Sequence, residues 1–517
     1  MSLAEQMDTV TDDAAGTVDR HDTSQTFEST DPATGAVVGV FPVHDADAVA
    51  ETVQRARAAA EAWGALGFEG RKQKLAAYRG YLARRMHELA DLVHRENGKP
   101  HADAILEITL AVDHLAWAAG HARKALGPRR VNPGLIAANH AAYLEYQPLG
   151  VIGVIGPWNY PVFTPMGSIA YALAAGNAVV FKPSEHTPAI GAWLAAAWRA
   201  AVPEVADAFQ VVTGFGDTGA ALCRVPVDKI AFTGSAPTGK KVMATCAETL
   251  TPVLMELGGK DAMIVDDDAD VVAAADAAVW GAMSNAGQTC IGIERVYATS
   301  AVYDRFVAEV TEQVRKLRPG ADDEATYGPM TMASQIDVVK RHVQDAATAG
   351  ARVVTGGPDA DAFPGEGYVA PTVLLDVPED SSAVKEETFG PTLTITRVRD
   401  AEEALQRAND TTYGLAGSIF SASKDKAMDL ARRMRSGMTS INSVLTFASV
   451  PALPFGGVGD SGFGRIHGED GLKEFTRAKA ITRQRMPLPV NLMSFGRPEK
   501  AADALARVMG MLHGRHR

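Results

Sequence analysis

Three side chains in this 517-residue chain are of the types needed for acyl chemistry at sulfur. Cys290 lies in Trp280-Gly-Ala-Met-Ser-Asn-Ala-Gly-Gln-Thr-Cys290-Ile-Gly-Ile-Glu-Arg-Val-Tyr297, between a helical run (Ala273 to Met283) and a strand signal (Arg295 to Thr299). Gly287 and Gly292 leave the backbone on either side bare, which suits a thiol that must meet a substrate. Glu256 ends an apolar segment and precedes a glycine pair in Met255-Glu-Leu-Gly-Gly-Lys260, and Asn159 sits in the rigid turn Pro157-Trp-Asn-Tyr-Pro161. A thiolate attacks a carbonyl, an amide stabilises the oxyanion, and a carboxylate activates the water that releases an acid. Singly, each residue is equally well a buried cysteine, a surface glutamate or a satisfied turn asparagine. Together, in apolar surroundings, they favour the chemistry.

The elements that must position these groups read as α/β. Amphipathic helices come first, from near Asp45, through Arg71 to Glu96, and through Ala102 to Leu126. Strand-like alternation at 141–147 then leads through Pro148-Leu149-Gly150 into Val151–Ile155. Strands at 178–181, 209–212 and 229–232 alternate with helices opened by Thr187-Pro188, running Asp217 to Arg224, and running Thr238 to Glu248. This alternation predicts parallel strands with crossover helices, in a doubly wound layer that binds ligands beyond its strands' carboxyl ends. A second alternating set, from about Asp261 to Asn442, predicts a second α/β domain carrying the cysteine. Residues 1–25, rich in Asp, Thr and Ser, are expected to be a mobile lead. In the tail after Asn491, Leu505, Val508, Met509 and Leu512 share a helical face, expected to dock on its own or a neighbouring subunit.

The bulk numbers exclude several classes. A formal net charge of -12 argues against a nucleic-acid partner. Three scattered cysteines supply neither a disulfide framework nor a zinc site, so no metal is expected and reducing cytosol is the simplest compartment. No signal-peptide pattern opens the chain. Leu149 to Phe181 has a single-span length without charge, but prolines and Asn159 interrupt it, so it reads as buried core and no membrane partner is expected.

Two glycine clusters invite a phosphate reading. Gly214-Phe-Gly216-Asp-Thr-Gly219 matches the dinucleotide spacing but lacks the acidic residue about 20 positions on, so its glycines are read only as passing close to an adenine. Phe232-Thr-Gly234-Ser235-Ala-Pro-Thr-Gly239 ends a strand and opens a helix, where amides and a hydroxyl face an anion.

Seven motifs in order then resemble the NAD(P)-dependent aldehyde dehydrogenase family, from about residue 26 to residue 490. They are Pro157-Trp-Asn-Tyr-Pro, Lys182-Pro-Ser-Glu185, Phe232-Thr-Gly-Ser, Glu256-Leu-Gly-Gly-Lys, Gly287-Gln-Thr-Cys290, Glu387-Thr-Phe-Gly-Pro391 and Pro454-Phe-Gly-Gly457. The resemblance implies Cys290 as nucleophile, Glu256 as general base, Asn159 as oxyanion donor with the Cys290 N–H, and Lys182 among the catalytic groups. It implies a cofactor cleft formed by Ile155, Gly156, Pro157, Trp158, Lys182, Ser184, Glu185, Gly214, Gly216, Phe232, Gly234, Ser235, Thr238, Leu257, Gly258, Glu387 and Phe389. It further implies hydride transfer to NAD(P)⁺ before hydrolysis, and a fold of two doubly wound domains plus a small β oligomerisation arm in a homodimer or homotetramer. The corresponding boundaries are 26–129 and 149–258 for the cofactor domain, 259–473 for the catalytic domain, 130–148 and 474–490 for the arm, and 491–517 for the tail. A carboxylate at Glu185 would repel a 2′-phosphate, which favours NAD⁺ over NADP⁺. Tyr160, Thr289, Ile291 and Phe447 are expected at an apolar substrate entrance. A semialdehyde substrate, CoA as acyl acceptor, and an inactive scaffold on the same fold are the rival readings.

Overall fold

The structure is a computed structural model that describes residues 25–322, 324–487 and 490–514. The expected mobile lead, apart from Gln25, lies outside these residues, as do the last three residues of the tail. Two parallel-rich sheets sit in one compact unit formed by the described residues of segments 1–125 and 148–476. The first has six strands in the order Gly462–Phe463, Val253–Glu256, Lys229–Thr233, Val151–Ile155, Ala178–Lys182, Phe209–Val211. Only its Gly462–Phe463 edge runs antiparallel. The second has seven, ordered Arg352–Thr355, Thr372–Leu375, Thr392–Val398, Ile293–Thr299, Asp261–Val265, Gly417–Phe420, Ser440–Ile441. Here too the antiparallel strand, Arg352–Thr355, is at an edge.

The uncharged run from Leu149 to Phe181 forms the middle of the first sheet and its crossover. It comprises Val151–Ile155, helix Phe163–Ala175 and Ala178–Lys182, and the helix is buried nearly throughout. Such continuous apolarity is what a parallel strand covered on both faces requires. Among the described residues no helix is long and apolar enough to cross a membrane. Asn177 closes the crossover by accepting from the Leu149 and Gly150 N–H groups at 2.7 and 2.9 Å and donating to the Ala172 and Phe475 carbonyls.

Helical periodicity placed the elements but not every boundary. The run from Arg71 to Glu96 is two helices, Gly67–Arg84 and Met86–Asn97, broken at Arg85. Helix Pro188–Ala201 does have proline in its first turn, but the Thr187 hydroxyl makes no capping bond. Its end is capped from 93 positions away: the Glu96 carboxylate accepts from Ala189 N–H at 2.8 Å and Ile190 N–H at 2.9 Å. Burial pushes that carboxyl up to about 7, opposed by the Ser29 hydroxyl and those two amides.

A second compact unit comprises the described residues of segments 126–147 and 477–517. In it Asn139 binds both ways to the far segment, its carbonyl accepting from Arg485 N–H at 2.8 Å and its amide donating to Met486 O at 3.0 Å. The tail forms helix Ala501–His513, with none of its residues buried.

Candidate active site

The two sheets present opposite ends to one region. From the first come carboxyl ends: the strands finish at Ile155, Lys182, Thr233 and Glu256 in matched register. From the second come amino ends: Cys290 lies three residues before the strand Ile293–Thr299, and Phe389 three before Thr392–Val398. The expectation of ligands beyond carboxyl ends therefore describes the first sheet only.

The cysteine loop is set by an unusual turn. After helix Val271–Met283, Asn285, Ala286 and Gly287 all take left-handed conformations, with φ of 52°, 56° and 71°. Non-glycine residues tolerate this at a cost of roughly 1–2 kcal/mol each, so surrounding contacts must hold the turn. Asn285 donates to the Asn159 carbonyl at 3.0 Å, and Gln288 donates to the Asn285 carbonyl at 2.9 Å while accepting from Thr331 N–H at 2.9 Å. A Cβ at Gly287 would sit 2.0 Å from the Gly390 carbonyl oxygen, so the turn touches the turn bearing Glu387 and Phe389.

Cys290 is half-buried at a cavity wall. Burial pushes its thiol up, and the charges of Glu387, Asp261 and Glu256 add to this, while the Ile291 backbone N–H opposes it. The Asn159 amide donates to the Gln288 carbonyl at 2.9 Å, two residues before the cysteine. An asparagine amide carries two N–H donors, which leaves one for a developing oxyanion. Next in the chain, the Tyr160 hydroxyl meets the Thr289 hydroxyl at 3.0 Å.

Glu256 is 3% exposed, and neither carboxylate oxygen has a hydrogen-bond partner among the described residues. Burial raises its carboxyl well above the usual range; Arg465 opposes the shift and Glu474 adds to it. Room for this side chain comes from Gly456, where a Cβ would lie 2.8 Å from Glu256 Oε1. Gly258 likewise makes room for Glu387, since a Cβ there would lie 2.2 Å from its Oε2. Glu387 accepts from Gly259 N–H at 2.9 Å and is pushed up to about 8, mainly by burial and next by the charge of Glu294. Phe389 takes φ of 52° and stands edge-on to Trp158, ring centroids 5.5 Å apart.

The remaining sequence-derived positions lie along the first sheet. Buried Lys182 donates to the Pro183 carbonyl at 3.0 Å and approaches Glu185 at 3.7 Å, with Ser184 3.4 Å from that carboxylate. Burial lowers the Lys182 ammonium, and Glu185 opposes this. Ser235 stands at the N-terminus of helix Ala236–Ala247 without capping it, its hydroxyl 3.0 Å from that of Thr238. A Cβ at Gly234 would strike the Phe232 ring at 2.7 Å, and one at Gly156 the Phe181 ring at 2.8 Å. Leu257 fills the space above Gly239. Gly214 has φ of 142°, and open space surrounds Gly216, the first residue of helix Gly216–Arg224.

A cavity of about 270 Å³ reaches Cys290, walled by Tyr160, Phe163, Thr289, Ile291 and Phe455, among others, with Leu106 and Trp280 half-exposed on its wall. Neither Asn159 nor Glu256 lines it. Phe447 does not either; its ring centroid lies 6.4 Å from that of Phe455. Aromatic type and motif position suggested Phe447, but the short helical turn Thr446–Ser449 directs its neighbours to the cavity instead.

Several site residues escaped sequence reasoning. Lys99, Asp103 and Glu107 are the cavity's charged side chains, on helix His101–Leu126 and just before it. Glu294 is buried; its carboxylate accepts from Thr388 and Phe389 N–H and pairs with Lys260, fixing the Glu387 turn. A signal existed for Glu294, a charged residue in an otherwise apolar stretch just after the cysteine motif, and Lys260 closes the Glu256-Leu-Gly-Gly-Lys motif itself. None marked Lys99.

Known proteins agree with this architecture. The aldehyde dehydrogenase family profile matches residues 18–481. A 4,4'-diapolycopene aldehyde oxidase from Methylomonas sp is 37% identical over 467 residues, covering 90% of this chain and 87% of the relative. The NAD-dependent aldehyde dehydrogenase of Sinorhizobium meliloti superposes with a TM-score of 0.86 at 34% identity, covering 92% of this chain and 94% of that one. Lactaldehyde dehydrogenase from Escherichia coli gives 0.85 at 33% identity, over 90% and 96% of the two chains. A profile match across nearly the whole described chain and superpositions of this quality leave one conclusion: the protein belongs to the aldehyde dehydrogenase family and has its two-domain α/β fold.

Proposed function

We propose that the protein oxidises an apolar aldehyde to its carboxylic acid with NAD⁺, through a thioester on Cys290. The observation that carries this reading is a cavity-facing thiol whose loop is bonded by the Asn159 amide and on which the charge of Glu256, a buried carboxylate with no hydrogen-bond partner among the described residues, acts. Cys290 adds to the aldehyde carbonyl, and the Cys290 N–H and the free N–H of Asn159 take the charge that develops on oxygen. Burial holds the proton on the resting thiol, so as the sulfur adds to the carbonyl that proton passes to solvent in the cavity. Glu256, with both oxygens unengaged, is suited to draw a proton from the water that releases the acid.

The chain's residues fit a dinucleotide. Ser235 and the amides behind it face outward at a helix start, and Gly216 opens onto free space, so a pyrophosphate and an adenine find room there. Lys182 and Glu185 would hold the ribose, and Glu387 and Phe389 the nicotinamide half. Bound there, NAD⁺ supplies the hydride acceptor. The Glu185 carboxylate supports NAD⁺ over NADP⁺ by repulsion of a 2′-phosphate. The three-stranded sheet of Arg129–Val131, His140–Pro148 and Thr476–Gln484, whose last strand is almost wholly exposed, supports an oligomerisation role.

The test is NADH formation from hexanal without CoA, by the wild-type protein and by Cys290→Ala. Steady turnover by the wild type and none by the variant is the expected result. Turnover by Cys290→Ala at the wild-type rate, or a strict need for CoA, would overturn the proposal.

A further inference from the structure

Lys99 and Glu107 form a buried ion pair directly behind the Asn159 turn, with no exposed side-chain surface on either partner. The Lys99 ammonium has three N–H donors, and three acceptors surround it. They are the Glu107 carboxylate, the Asn159 backbone carbonyl at 2.9 Å, and the face of the Tyr160 ring, 4.0 Å from its centroid. The other Glu107 oxygen accepts from Val162 N–H at 2.8 Å and Phe163 N–H at 3.0 Å, at the start of helix Phe163–Ala175. One step earlier, the Asn97 amide donates to the Trp158 carbonyl at 2.9 Å. Successive carbonyls and amides from 158 to 163 are thus tied by side chains from 97, 99 and 107. The Asn159 amide group takes no part in this binding; it points to the cysteine loop.

A buried ion pair is a poor device for stability, since desolvation offsets its attraction. It is a good device for geometry, because both charges need defined partners. We infer that Lys99 and Glu107 are positioning residues for the oxyanion site: they hold the backbone of Asn159 and Tyr160 so that the Asn159 amide reaches both the cysteine loop and the reacting oxygen. This rests on the reading of Asn159 as an oxyanion donor. A displacement of about 1 Å at such a site costs on the order of 100-fold in rate.

A double-mutant cycle between the pair and Asn159 tests the inference. Lys99→Met with Glu107→Gln removes both charges together, so no buried charge is left without its counter-ion, and the introduced glutamine side chain keeps an acceptor for the two amides. Each protein would be assayed for kcat and KM with hexanal, for NADH binding by fluorescence, and for folding by circular dichroism. The paired substitution is expected to lower kcat about 10- to 100-fold, with aldehyde KM and NADH affinity within about threefold. In an Asn159→Ala background it should lower kcat by no more than about twofold, because the group it positions is gone. An equal fall in both backgrounds, or a wild-type kcat for the pair variant, would overturn the inference. Asn159→Ala at the wild-type rate would instead remove the oxyanion reading itself, a distinguishable failure. If the pair variant does not fold, Lys99→Arg, which keeps the charge but moves the donors, enters the same cycle with the same expected and refuting results.

Discussion

Replacing Glu256 by glutamine should separate the two halves of the reaction. The substitution is nearly isosteric and removes only the ability to take a proton. In the folded protein the carboxyl is 3% exposed with both oxygens unpartnered among the described residues. The counter-charge that opposes its shift, Arg465, donates from its Nη1 to the Gly457 and Gly464 carbonyls, at 2.9 and 2.6 Å. On the proposed route acylation does not use this carboxylate, whereas hydrolysis does. Stopped-flow mixing of the variant with NAD⁺ and hexanal should therefore give a burst of about one NADH per subunit. Steady turnover should then be slowed roughly 10²–10⁴-fold, the usual contribution of a general base. Intact-mass measurement of the stalled enzyme should show an acyl adduct on Cys290. In the wild type, hydrolysis should quicken about tenfold per pH unit below the raised pKa of this carboxyl and level off above it.

Stability gives an independent check on the same residue. A carboxyl raised by folding favours the native state most below its unfolded pKa, and that contribution is lost as pH rises through the folded pKa. The wild type should lose up to about 1.4 kcal/mol per pH unit relative to Glu256→Gln across that interval. Melting curves of both proteins between pH 5 and 9 would show the gap opening with pH. Multiple turnovers without a burst, or a gap that does not grow with pH, would refute the assignment of Glu256 as a buried, unpaired base.

Three further outcomes follow from the geometry. Gly287→Ala should destabilise the protein by several kcal/mol, because its Cβ would sit 2.0 Å from backbone at a φ of 71°; wild-type melting and activity would contradict this. Glu185→Gln should raise kcat/KM for NADP⁺ relative to NAD⁺ by on the order of tenfold, since it removes a like charge near the ribose; an unchanged ratio would detach Glu185 from cofactor choice. In an aldehyde panel, hexanal and benzaldehyde should surpass succinate semialdehyde, because the ammonium of Lys99 is engaged by Glu107 while Asp103 leaves an acidic wall. Asp103→Asn should narrow that difference by roughly tenfold, and a semialdehyde preference in the wild type would show the reading of the cavity to be wrong.

Much of the architecture is legible in the order of residue types alone. Alternation of strand and helix signals points to the doubly wound sheets, because period 2 and period 3.6 are written in the side chains themselves. The chemistry-bearing residues stand out because each is polar within an apolar stretch. What stays hidden is long-range partnership. Glu96 caps a helix that begins 92 residues later, and no local pattern announces that a helix terminus will be satisfied from elsewhere. Lys99 follows a helix end in Asn97-Gly98-Lys99-Pro100, where a solvated lysine is the ordinary reading, yet folding buries it against Asn159. Phe447 fails for the opposite reason: a loop's direction depends on φ values such as the 60° at Leu445, which its side-chain type does not encode.

Glu256 finishes a strand of one sheet and Asp261 begins a strand of the other, with only Leu257, Gly258, Gly259 and Lys260 between them. The five Cα–Cα steps from Glu256 to Asp261 span at most about 18 Å when fully drawn out. This short leash limits how far the two halves of the molecule can part, however freely they breathe. The Glu256 carboxylate, at the leash's root, thus belongs to the first sheet, while the loop carrying the Cys290 sulfur leads into the second.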